Sequence, residues 1–220
     1  MIFTDLRGDD GIMRWQQFPV GPLEANCYVL YDDRFCLVVD PGDEAETVIT
    51  WLEANDLRPG AVFLTHAHFD HIGGLDDLVR KYPVPVYLHQ AEKDWLQSPS
   101  LNGSLLFLPR PVVSGVSPEE IKGEGEMEMG GWSFQILETP GHSPGSISLY
   151  FAEEGILVSG DLIFKGSVGR TDLPGGNGRQ LMETLGKKIL PLPEETRILP
   201  GHGPLTTVGE EKASNPFLQG

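Results

Sequence analysis

AVFLTHAHFDHIGG, residues 61–74, runs from an apolar stretch into three imidazoles and a carboxylate, then into two glycines. The apolar part reads as a buried strand over 61–65. If His66 and His68 continue the extended chain, they point to one side, because strand residues alternate with a period of two, and so they can grip one ion. Asp70 and His71 come after the chain begins to turn. Their side chains diverge from the first pair and can serve a second ion about 3.5–4 Å away, the spacing of two-metal hydrolytic sites. Gly73 and Gly74 let the backbone pass close beneath and open the next helix.

A lone histidine is usually a satisfied core or surface residue. Here the chain has six histidines, and three fall with an aspartate inside the six residues of HxHxDH. Two more, His142 and His202, each sit in a Pro-Gly-His turn after an apolar run. The remaining one, His89, reads as a cap at the surface end of its strand.

Before this stretch, ANCYVLYDDRFCLVVD reads as a hairpin turning near Asp32-Asp33. A two-residue turn there sets Cys27 against Val38 and Cys36 against Val29, diagonal neighbours with poor disulfide geometry. Both cysteines read as reduced packing residues. Asp40-Pro41-Gly42 then ends a strand, Asp43 can cap, and Glu44 to Asn55 carry Val48, Ile49 and Leu52 on one helical face. After the histidine cluster come a helix over about 75–81, a strand at Val84–His89 and a short helix at about 91–96. Residues 97–120 hold four prolines and little periodicity, and read as a long loop with exposed apolar groups, a candidate lid.

From residue 126 the rhythm is that of strands: EMEM, a Gly130-Gly131 turn, WSFQILE, SISLYF, an AEEG turn and ILVSGD. A glycine-rich loop, KGSVGRTDLPGGNGR, comes next, then a helix at about 179–189 and a strand TRIL running into PGHGP. Both halves deliver candidate ligands from strand ends: His66 to His71 from the first, and His142, Asp161 and His202 from the second.

The 220 residues suit one domain spanning 1–220. The net charge of −16 argues against nucleic acid or an anionic membrane as partner, since neither would be attracted. The N-terminus shows no basic region followed by an apolar core, and no segment approaches 18 apolar residues, so a soluble cytoplasmic protein is the expectation.

THAHFDH, PGHSPGS, SGD and PGHGP, in this order, resemble the metallo-β-lactamase superfamily, and VGRTDLPGG with the tail TTVGEEKASNPFL is most similar to short bacterial glyoxalase II-like hydrolases. The resemblance implies an α/β fold, a four-layer αβ/βα sandwich with the metal site at the seam between two β-sheets. It implies two divalent metal ions, zinc with iron or manganese as alternatives. His66, His68 and His142 would hold one, Asp70, His71 and His202 the other, and Asp161 would bridge. The expected reaction is attack of a metal-bridging hydroxide on a thioester such as S-D-lactoylglutathione, with Asp70 relaying a proton. Thr65 and Asp40 are candidates to orient the imidazoles, and for Asp40 a simple strand-end turn explains the residue equally well.

The long glyoxalase II members carry a C-terminal helical domain that contacts glutathione, whereas 18 residues follow His202 here. They also have a lysine where Arg170 stands and a tyrosine where Asp172 stands. Arg170, with Lys165 the weaker candidate, could meet a substrate carboxylate, or Arg170 could pair internally with Asp172. The alternative reading is a persulfide dioxygenase of the same superfamily, which shares GRTD and an EEKxxNP tail but binds one iron. GHGP in place of the GHDY usual there favours a hydrolase. Another small-ester or lactone hydrolase is a further alternative.

Overall fold

The computed structural model describes residues 13–219, so most of the N-terminal stretch on which the export-signal reading rests lies outside the described residues. Among them, no helix is long and apolar enough to cross a membrane. The chain forms two compact units, one from the chain up to Leu88 and Glu92–Ile121, the other from His89–Ala91 and Lys122 onward.

The first unit holds a six-stranded sheet in the order β1 (Arg14–Val20), β2 (Ala25–Tyr31), β3 (Cys36–Val39), β4 (Pro59–Phe63), β5 (Val86–His89) and β6 (Glu119–Ile121). β1, β2 and β3 are antiparallel neighbours, and β4 is parallel to both β3 and β5. Parallel strands need a covering crossover, and helices supply it: α1 (Ala45–Ala54) between β3 and β4, then α2 (Phe69–Ile72) and α3 (Leu75–Lys81) between β4 and β5. Val48, Ile49 and Leu52 of α1 pack with Val38, Val62, Ile72, Leu75 and Leu78 in one core. Asp43 Oδ1 accepts a hydrogen bond from the Glu44 amide at 2.7 Å, but the residue at the helix cap is Glu44, whose side chain makes no cap bond.

The hairpin register differs from the expected one. Val29 faces Val38 and Tyr31 faces Cys36, so Cys27 and Cys36 are four positions out of step along the ladder. The cause is Asp32, whose carboxylate accepts from the amides of Arg34 and Phe35 at 2.7 and 2.8 Å. This turn places Asp32 at the base of the loop, with Asp33 and Arg34 at its tip. A shift of two residues keeps every side chain on its face. Both cysteines are therefore buried and free. Burial, with Asp32 nearby, pushes the Cys36 thiol up to about 12, and burial raises that of Cys27 further.

Residues 97–120 are more ordered than their prolines suggest. Asn102 donates to the carbonyls of Trp95 and Val112, and its Oδ1 accepts from the Ser104 amide at the start of a one-turn helix, α4 (Ser104–Phe107). Leu105 and Leu106 on that turn are exposed, as the sequence indicates. Glu119–Ile121 close the segment as edge strand β6.

The second unit has its own six-stranded sheet, in the order β14 (Thr206–Thr207), β13 (Arg197–Pro200), β10 (Ile156–Gly160), β9 (Ile147–Phe151), β8 (Trp132–Glu138), β7 (Gly125–Met129), and a two-stranded ribbon of β11 (Ile163–Phe164) and β12 (Ser167–Val168). β10 and β13 are parallel. Trp132, Phe134 and Ile136 of β8 are buried while Ser133 and Gln135 are exposed, the alternation of a strand wet on one side. β9 and β10 are buried throughout. Helix α5 (Gly178–Thr184) continues as a π-helical turn over Leu185–Ile189, and α6 (Val208–Ser214) follows β14. Leu157, Leu162, Ile163, Leu181, Leu185, Ile198 and Val208 form the core beneath them.

Candidate metal centre

In the first unit the site grows from the carboxyl ends of parallel strands β3 and β4. Asp40 follows β3, donates its amide to Phe63 O at 3.0 Å and adopts a left-handed φ of 51°. That conformation is tolerable for aspartate and aims its carboxylate across to the end of β4. Oδ1 accepts from the Thr65 amide at 2.7 Å, and Oδ2 accepts from the Thr65 hydroxyl at 2.6 Å. The same Oδ2 lies 3.0 Å from His71 Nδ1, and Thr65 Oγ1 lies 3.1 Å from His66 Nδ1.

Only one proton arrangement satisfies all four bonds. The carboxylate can only accept, so His71 carries its proton on Nδ1. The Thr65 hydroxyl spends its proton on Asp40, so it must accept from His66 Nδ1–H. With Nδ1 protonated, the neutral form of each ring carries its lone pair on Nε2, the form of imidazole that ligates a metal. Asp40, His66 and His71 lie close enough together to suggest a cation site of their own, but these hydrogen bonds already account for that grouping.

His66, His68 and His71 are all buried, with ring centroids 4.8 Å apart for the first pair and 4.2 Å for His66 and His71. His68 keeps an extended backbone, with ψ of 150°, before α2 begins at Phe69. Asp70 and His71 lie within the first turn of that helix, and Asp70 Oδ2 is 3.9 Å from His71 Nε2. A Cβ on Gly42 would fall 1.8 Å from Asp70 O, and one on Gly73 would fall 2.4 Å from Gly42 O. The DPG turn thus supports the histidine turn backbone against backbone, and neither glycine can be replaced without displacing it. Gly74 donates its amide to Pro41 O at 2.9 Å.

Glu92 is a further residue at this half-site, and sequence reasoning passes over it. It is fully buried, and its Oε2 accepts from the Ala67 amide at 2.6 Å, fixing the backbone between His66 and His68. The available signal is that Glu92 precedes buried Trp95 and Leu96 by three and four residues, a charged group on an apolar face.

In the second unit Asp161 and His202 follow the parallel strands β10 and β13, while His142 lies between the antiparallel strands β8 and β9. The register of β10 shifts between Val158 and Gly160, Gly160 takes φ 52°, and Asp161 is turned out of the sheet. Gly201 donates to Gly160 O at 2.8 Å, which sets His202 beside it. Asp161 Oδ2 lies 3.5 Å from His142 Nε2 and 3.6 Å from His202 Nε2. These distances exceed a hydrogen bond. They are close to the spacing of about 3.4 Å between donors that share one tetrahedral ion with bonds near 2.1 Å. His142 Nδ1 donates to Arg170 O at 2.7 Å, so this ring too offers Nε2. The donor set fits divalent metal: three of its imidazoles are held through Nδ1, and carboxylates are at hand in both units.

The two basic candidates of the loop are engaged with acids. Arg170 makes a two-point pair with Asp172 at 2.7 and 2.8 Å and holds that carboxyl down at about 2, and Lys165 lies 3.5 Å from Glu210. His89, at the end of β5, is buried, and its Nδ1 accepts from the Ala91 amide at 3.3 Å.

Comparison with known proteins gives a match to the family model "Metallo-beta-lactamase superfamily" over residues 20–202. The chain is 47% identical over 208 residues to a probable metallo-hydrolase, YqgX, of Bacillus subtilis, covering 94% of this chain and 99% of that protein. It is 36% identical to the hydroxyacylglutathione hydrolase GloC of Haemophilus influenzae, covering 94% and 98%. Among solved structures, the BLEG-1 B3 metallo-β-lactamase superposes with a TM-score of 0.92 at 47% identity, covering 94% of this chain and all of that one. TTHA1623 in a di-iron-bound form superposes with a TM-score of 0.83 at 40% identity, covering 92% and 100%.

Proposed function

The chain belongs to the metallo-β-lactamase superfamily and has its fold, and we propose that it is a hydrolase of that superfamily which uses two divalent metal ions to cleave a small thioester of the S-D-lactoylglutathione kind. The observation that carries the reading is the tethering of His66, His71 and His142 through Nδ1, which makes Nε2 the atom each ring would offer to a metal. We assign His66, His68 and His142 to one ion, Asp70, His71 and His202 to the other, and Asp161 to both, so that the two units act as one domain. The hydroxyacylglutathione hydrolase among the relatives supports the thioester. The di-iron neighbour makes iron as eligible as zinc.

Bound ions of this kind supply a hydroxide near neutral pH and polarise a carbonyl. The chain's residues do the rest. Asp40 and Thr65 hold the Nδ1 protons and so aim the imidazoles, Asp161 contributes a negative charge to the ligand set, and Asp70 takes a proton and returns it to the leaving thiolate. Arg170 and Lys165 are the cations we assign to an anionic thiol group, in a cytoplasmic setting.

Metal analysis of the purified chain should give close to two equivalents. S-D-lactoylglutathione should be hydrolysed without oxygen, and chelation should abolish the activity. One equivalent of iron, with oxygen uptake on glutathione persulfide and no anaerobic thioester cleavage, would replace this reading with the dioxygenase. A penicillin assayed alongside and turned over faster than the thioester would move the substrate class to lactams.

Arg170→Ala should raise KM for a carboxylate-bearing thioester about tenfold, the scale of one charge-assisted hydrogen bond. Melting temperature should hardly move, because the exposed pair with Asp172 contributes little to stability. A lower melting temperature with unchanged KM would assign Arg170 to structure alone.

A further inference from the structure

Glu211 takes no part in the site as described, yet it is a carboxylate buried to 1% exposure in α6. A buried charge needs compensating donors, and Glu211 has three. Its Oε1 accepts from the Thr206 hydroxyl at 2.5 Å, and its Oε2 accepts from the Asn215 amide group at 2.7 Å and from the Gly166 backbone amide at 2.9 Å. Asn215 also donates to Ser167 O at 3.0 Å. The two side chains therefore grip both residues where the ribbon turns from β11 to β12.

The chain leaving the ribbon gives that grip a target. Val168 packs into the core beneath α6, and Gly169 donates to Leu162 O at 3.2 Å. A Cβ on Gly169 would come within 1.8 Å of Asp161 O and 3.3 Å of His142 Cβ, so this residue is wedged between two ligand candidates. The next residue, Arg170, supplies the carbonyl to which His142 Nδ1 donates. From anchor to acceptor is four residues, held at every step.

We propose that Glu211 and Asn215 are positioning residues for His142: through the Gly166–Arg170 segment they place the carbonyl that fixes the tautomer and direction of its ring. This rests on the reading of His142 as a metal ligand. It explains why the tail pattern EExxxN and the GSVGR loop occur in one chain, since each is the other's hydrogen-bond partner.

The test compares Glu211→Ala, Glu211→Gln and Asn215→Ala in the full chain. In Gln, the amide oxygen can still accept from Gly166 and Asn215. Thr206 can turn its proton to Glu210 Oε2, 2.9 Å away, and accept from the new amide. Two readouts are used: the hydrogen-bonded His142 Nδ1–H resonance in metal-free protein, and zinc affinity by competition with a chelator. Glu211→Ala should lose that resonance to exchange and weaken zinc binding at one of two equivalents about tenfold. Glu211→Gln should restore both. Should Glu211→Ala fail to fold, Asn215→Ala, which removes the Ser167 anchor, one donor to Glu211 and the acceptor of the Phe217 amide but leaves Glu211 to hold Gly166, should show the same two changes. A lowered melting temperature with resonance and zinc affinity as in the parent protein would overturn the proposal. Because the resonance is read without metal or substrate, a chain that cleaves no thioester yet shows these changes would sink the proposed function and leave the positioning role intact.

Discussion

Asp161→Ala is expected to leave the protein with less than one metal equivalent and to lower thioester kcat/KM about 10³-fold, the loss seen when a group that stabilises the reacting charge is removed. Asp161 Oδ2 lies 3.5 Å from His142 Nε2 and 3.6 Å from His202 Nε2, so its loss touches both proposed ligand sets. Any single histidine serves only one, and each single His→Ala variant should retain about one equivalent. The fold should survive, because Gly160 and Gly201 set the turn through backbone bonds that do not involve the carboxylate. Retention of two equivalents by Asp161→Ala would remove the bridging assignment.

Asp40 yields the second large effect, through a pair of substitutions. Asp40→Ala strips acceptors from the Thr65 amide, the Thr65 hydroxyl and His71 Nδ1–H, all buried. At roughly 1–3 kcal/mol for each unsatisfied donor, about 4 kcal/mol of stability should go, on the order of 10 °C in melting temperature for a chain of this size. Asp40→Asn keeps the shape and tolerates the left-handed φ. Its amide N–H, placed opposite His71, forces Nδ1 to accept and drives the ring proton to Nε2. Asn should therefore melt within a few degrees of the parent protein yet bind metal about 10–100-fold more weakly. If Asn binds metal normally, Asp40 serves only as a strand-end turn.

The legible part of the sequence is the part in which local chemistry and long-range structure agree. HxHxDH announces its ligands because imidazoles do not cluster for packing alone, and α3 falls at 75–81 because Gly74 opens it and Tyr82 leaves it extended. The hairpin register is not legible, because an Asx turn at Asp32 and a tight turn at Asp32-Asp33 share one composition. Glu92 and Glu211 are invisible for a different reason. Each is an ordinary helix-forming residue whose partners, Ala67 and Gly166, lie 25 and 45 positions away. Arg170 draws attention in the sequence for its guanidinium, while the group that meets His142 is its carbonyl, which every residue type provides.

Cleavage of a thioester releases a free thiol, an oxidant converts such thiols into disulfides, and a protein thiolate attacks a disulfide by exchange. Exchange needs an accessible thiolate on the protein. Cys27 and Cys36 are fully covered, and burial holds both in the protonated form at any physiological pH. Under the proposed reaction the chain would thereby be inert to capture by its own product, and a single cysteine introduced on its surface would be the position that a thiol-reactive label finds.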